Sequence, residues 1–132
     1  MATEILVNDG GAPARILPYT AGSTISAGYP VTIATDGEVD QLATSGSLIL
    51  GFSLTAATSG NICNVISGHG VLLNVAASSS ASNIVIGTNL GTSTQDGALC
   101  AMPATADGNA NTVAIALATG TASVGLLKVQ VV

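Results

Sequence analysis

From Gln41 to Gln95 the chain carries no Asp, Glu, Lys or Arg. This gap constrains the fold more than any other feature. A surface helix keeps its outer face wet with long or charged side chains, and none is present here to do so. A membrane-crossing helix needs about 20 consecutive, mostly apolar residues. Ser, Thr, Asn and Gly interrupt every apolar run in the gap, so no transmembrane helix is expected. Small and β-branched residues joined by glycines remain, and they favour strands and tight turns. Charged residues make up 7% of the whole chain, against about 25% in an ordinary soluble domain.

The apolar pattern agrees. Period-two alternation marks half-buried strands. In "LILGFSLT" the residues Leu48, Leu50, Phe52 and Leu54 fall on one face. In "TVAIALA", Val113, Ile115 and Leu117 oppose Ala114, Ala116 and Ala118. In "LLKVQVV", Leu127, Val129 and Val131 oppose Leu126, Lys128 and Gln130. Further strands are expected at about 3–8, 14–19, 30–34, 38–43, 61–66, 71–76, 83–86 and 98–102. Between them stand the turn signals "NDGG", "TDG", "TSG", "SGHG", "QDG" and "ADGN". The fold class is all-β, a compact barrel or sandwich. At 132 residues the chain reads as a single β-rich domain, 1–132, with an N-terminal arm over about 1–26. "GYPVTIATDGEV" (28–39) is echoed by "GTNLGTSTQDGAL" (87–99), and 49–66 by 112–131. An internal repeat, 28–66 and 87–131, would give two similar β-units. The stretch "AASSSAS" (76–82) reads as a surface loop, or as a linker between the units.

Charge and composition exclude several functions. A net charge of −5 with two cations, Arg15 and Lys128, cannot build a phosphate-tracking surface, so nucleic acid is not an expected partner. Tyr19, Tyr29 and Phe52 are the whole aromatic complement, too few for a base-stacking or sugar-binding platform. The N-terminus lacks the basic region and apolar run of a signal peptide. Without an export signal, Cys63 and Cys100 read as two reduced, buried thiols rather than a disulfide.

Residues able to do chemistry are sparse. His69 in "SGHG" suits a hairpin turn, and no single serine stands out as its nucleophile. Cys63, Cys100 and His69 lack the paired spacing and the fourth ligand of a zinc site. Asp36, Glu38 and Asp40 would share one face of a strand. Gly37 follows the first acid rather than the third, unlike an EF-hand loop, so a solvated edge that resists aggregation is the simpler reading. Gly68 and Gly70 lack the strand-to-helix setting of a phosphate loop. The expectation is a non-enzyme with no cofactor and no metal.

A surface with so few ions loses little on docking against another protein. Arg15, Tyr19 and Tyr29 all fall in "RILPYTAGSTISAGY". Arg and Tyr are enriched among residues that dominate binding energy, so these three are the candidate partner contacts. Tyr19 and Tyr29 could equally serve to close the barrel.

The order "AGYPVTIATDGEVDQLA", "ILGFSLTAATSGNICNVISGHGVLLNV", "TSTQDGALC" and "VAIALATGTASVGLLKVQV" resembles the small capsid decoration (cement) proteins of tailed bacteriophages. It covers about residues 27–131. Ala114 replaces the glycine of the repeated Gly-apolar-x-Leu strand, and the 103–112 loop is long for the pattern. The resemblance implies a β-barrel on the outer surface of a capsid in the virion, made in the host cytoplasm. It further implies a homo-oligomer, dimer or trimer, that stabilises the head by bridging major capsid protein subunits. A β-rich adhesion or glycan-binding module displayed on a virion or fibre is the alternative.

Overall fold

The computed structural model describes residues 5–8, 14–43, 48–78, 84–92, 97–102, 112–120 and 125–132. The expected turns at 44–46 and 106–109, and much of the stretches 76–82 and 103–112, lie outside these residues. Every element among the described residues is a strand. In chain order they are β1 (Leu6–Asn8), β2 (Arg15–Thr20), β3 (Pro30–Ile33), β4 (Val39–Gln41), β5 (Gly51–Ser53) and β6 (Ile62–Ser67), followed by β7 (Leu72–Ser78), β8 (Asn89–Thr92), β9 (Leu99–Ala101), β10 (Thr112–Ala116) and β11 (Gly125–Val131).

The strands form two similar units. One five-stranded sheet runs β2-β6-β5-β3-β4, and the six-stranded sheet runs β1-β7-β11-β10-β8-β9. Set β1 aside and the two orders are the same, with β2 to β6 matching β7 to β11 one for one. The second sheet closes on itself through a parallel pairing of β7 with β9, Ala77 opposite Leu99. The first closes at the matching place by a parallel bridge between Ala21 and Val39. Each unit is therefore a small five-stranded barrel. The likeness holds residue by residue. Gly28 and Gly87 both turn with positive φ (83 and 88), as do Gly37 and Gly97 (87 and 64). The Gly28 N–H donates to the Ser53 carbonyl at 2.7 Å, and the Gly87 N–H to the Ala116 carbonyl at 2.8 Å.

The interiors correspond as well. Val31, Val39, Cys63 and Val65 fill the first barrel. Leu90, Leu99, Leu127 and Val129 take the same places in the second. Phe52 and Ile66 point out of the first barrel and are buried in the core of the second, so one hydrophobic mass spans the joint. Gly28 lies at that joint, where its carbonyl accepts the Ala76 N–H at 2.8 Å. A Cβ on Gly28 would stand 2.7 Å from Leu126 Cδ2. β1 ties the joint from the other end of the sequence. It precedes the first barrel yet pairs antiparallel with β7 of the second.

Three local expectations are corrected. Of the strand expected at 83–86, the described residues 84–86 form none: Ile84 is buried and its carbonyl accepts the Gly120 N–H, and 86–87 is a turn. The strand lies at 89–92 instead, where Gly91 in "NLGT" had weakened the strand pattern. "LILGFSLT" does not keep one apolar face. Leu48 is exposed, Leu50 packs into the first barrel, and Phe52 and Leu54 pack toward the second. The break falls at Gly51, where the backbone presses so close to β6 that a Cβ would sit 2.5 Å from the Ile66 carbonyl oxygen. Finally, β7 runs to Ser78, so "AASSSAS" begins as a buried strand whose small side chains let β9 close against it.

Candidate functional site

β2 supplies the most exposed apolar strand of the first barrel. Ile16 is 45% exposed and Leu17 42%, and Ile62 on neighbouring β6 is 58% exposed. In the continuous antiparallel register with β6, Ile16 faces Ile66 and Thr20 faces Ile62. Side chains alternate across a strand, so Ile16 and Ile62 share one face. Arg15, Leu17 and Tyr19 share the other. Arg15 is exposed at the start of the strand, and Tyr19 is half-buried against the first barrel's core. Tyr19 thus helps close the barrel and still shows an edge to solvent.

Tyr29 stands apart, just before β3, which β5 and β6 separate from β2. Its position is set by Ser53, a fully buried residue of β5. The Ser53 hydroxyl donates to the Ser26 carbonyl and accepts the Tyr29 N–H at 3.1 Å. The hydroxyl therefore ties the 26–29 turn to the sheet. In the second barrel Ala116 occupies the Ser53 position, and the matching turn is held by its own Thr88, whose Oγ1 accepts the Val85 N–H at 3.1 Å. The sequence reading missed Ser53; a lone hydroxyl in an apolar strand was the available signal. It also missed Ile16, Leu17 and Ile62, which lie in or beside the nominated segment.

The remaining candidates are dispersed. Asp36 lies in the β3–β4 turn, its Oδ1 accepting the Glu38 N–H at 3.0 Å. Glu38 and Asp40 lie over Gly22, where a Cβ would be 2.8 Å from Asp40 Oδ1 and 3.0 Å from Glu38 Oε2. The three carboxylates therefore form a turn cap plus a pair, not the single row expected of a strand. His69 is exposed in the β6–β7 turn. Cys63 is buried in the first barrel and Cys100 half-buried on β9, and both are free thiols. Burial pushes the Cys63 thiol pKa up. Among the described residues no group of three or more His, Cys, Asp or Glu side chains could hold a metal ion. A cleft of ≈ 230 Å³ opens between the barrels, walled by Leu48 and Leu50 on one side and Val113, Val131 and Val132 on the other. Its lining offers no charged side chain.

The same architecture occurs in a bacteriophage head fiber. The N base of head fiber gp8.5 of bacteriophage phi29 superposes with a TM-score of 0.68 over 91% of this chain and 95% of that one, at 16% sequence identity. No protein-family profile matches the chain. No curated protein matches its sequence. At so low an identity to gp8.5 the shared property is the fold.

Proposed function

We propose that this chain is a structural protein of a phage virion, seated on the outside of the head. There it binds major capsid protein subunits and holds neighbouring ones together. The observation that carries the reading is the fold shared with the phi29 head fiber base over nearly the whole of both chains. The exposed apolar face of β2 and the scarcity of charge support it, since few ions must be desolvated when such a surface is covered. A standard interface of about 1,200–2,000 Å² repeated over a lattice multiplies a modest local contact. Within this reading Arg15, Tyr19 and Tyr29 are contacts to the shell, the protein acts as a homo-oligomer, and no catalysis or cofactor is involved.

The test adds purified protein to mature capsids that lack it. Saturable occupancy and a higher rupture temperature are expected. If saturating protein leaves both unchanged, the bridging role is wrong.

A second reading is favoured by the neighbour being a fiber base: the chain anchors a displayed adhesion module without reinforcing the shell. Saturable occupancy with an unchanged rupture temperature would select it.

A further inference from the structure

We infer that the outer edge of β2 is a seat for the β1 strand of a second copy of this chain, and that Pro18 keeps that seat empty. The match between the barrels is what reveals it. β2 corresponds to β7: Leu17 faces Val65 as Leu73 faces Val129, and Ile16 faces Ile66 as Leu72 faces Gln130. On β7 the outer edge is occupied, because β1 pairs there with Leu72 and Leu73. On β2 the same edge carries no strand among the described residues. The consequence shows in burial: Leu73 is 0% exposed and its counterpart Leu17 42%.

Pro18 stands where Asn74 stands on β7, and the Asn74 N–H is the group that donates to the Ile5 carbonyl at 2.7 Å beside β1. The missing N–H of Pro18 faces the open side. Ala21 exchanges backbone hydrogen bonds with the β6 side, through its N–H to Asn61 and its carbonyl from Gly60. Alternation in the unbroken register then turns Ile16, Pro18 and Thr20 outward. Proline is confined to such outward positions on edge strands, where it blocks further pairing.

A second copy brings the matching strand without dismantling itself. β1 pairs only with β7 among the described residues, so its far edge is open. Two of its three residues, Leu6 and Val7, are apolar, like Ile16 and Leu17 on the seat. Joining β1 of one copy to β2 of the next is head-to-tail, a contact that closes into a ring or grows into a filament. Pro18 thereby leaves the β2 face free, and this holds whether or not the proposed capsid role does.

The experiment measures mass by light scattering over a concentration series for wild type, Pro18→Val and Pro18→Val with Ile16→Pro. Pro18→Ala restores the same amide with less bulk and substitutes if the valine variant folds poorly. Restoring the amide is expected to strengthen self-association about two- to tenfold over wild type, the worth of one well-made backbone hydrogen bond. Adding Ile16→Pro, or excess synthetic peptide spanning residues 4–9, is expected to abolish the gain. Pro18 variants whose mass tracks wild type at every concentration overturn the proposal. So does a gain that survives both Ile16→Pro and the peptide.

Discussion

At the scale of single residues, the two barrels act as each other's controls. Gly51 and Ala114 are counterparts, yet a Cβ at Gly51 would strike the Ile66 carbonyl oxygen. Gly51→Ala is therefore expected to lower stability by about 1–3 kcal/mol, the usual cost of overpacking. Gly28 and Gly87 share a positive φ, which costs an alanine about 1–2 kcal/mol in either place. Only Gly28 also meets Leu126 and Ile5, so Gly28→Ala should lower the denaturant midpoint clearly more than Gly87→Ala. Equal losses would mean the joint is looser than described. Cys63 occupies a core position that Leu127 fills in the second barrel, and its burial raises the thiol pKa above the ordinary 9.0. Above that pH the unfolded chain releases the proton while the folded chain keeps it, so the unfolded state binds fewer protons and stability falls. Cys63→Ala removes that part of the alkaline loss. The stability gap between wild type and variant should therefore narrow as pH rises past about 9, which urea titrations across the range would read.

At the scale of elements, alternation and glycine turns made most of the strands legible. "LLKVQVV" is β11 with Leu127 and Val129 inward and Lys128 and Gln130 outward, as its pattern demands. "TVAIALA" alternates too, but it buries Ala114 and Ala116 and leaves Val113 and Ile115 half-exposed. The small face is inward because β10 lines a narrow barrel, and barrel radius is set by partners far off in sequence. The misplacement of β8 has the same origin: "NIVI" has the stronger local pattern, but Gly87 turns the chain and the ladder forms beyond it. The contact segment was legible as composition rather than geometry. Arg15 and Tyr19 share a face of β2, while Tyr29 is placed by Ser53 from another strand. Ser53→Ala removes the hydroxyl acceptor of the Tyr29 N–H and leaves it only the longer bond to the Ser26 carbonyl at 3.4 Å, a loss of about 1 kcal/mol. If the capsid role holds, Arg15→Ala and Tyr29→Ala should each weaken capsid binding by about tenfold, as contacts that dominate an interface do. His69→Ala, in the β6–β7 turn, should leave it unchanged. A capsid-pelleting titration separates these outcomes, and equal loss from all three would remove the contact assignment.

At the scale of the whole molecule, the two barrels are mechanically one body. Phe52 and Ile66 belong to the first by sequence and to the second by packing. Unfolding is therefore expected as a single transition by both calorimetry and circular dichroism. Phe52→Ala should shift that one transition, costing about 3–5 kcal/mol, rather than splitting it in two. β1 adds an ordering in time. A ribosome delivers Leu6–Asn8 ahead of the first barrel, yet their partner β7 is not made until that whole barrel has emerged. Until the later half arrives to claim it, this short strand must wait unpaired, a natural client for a chaperone.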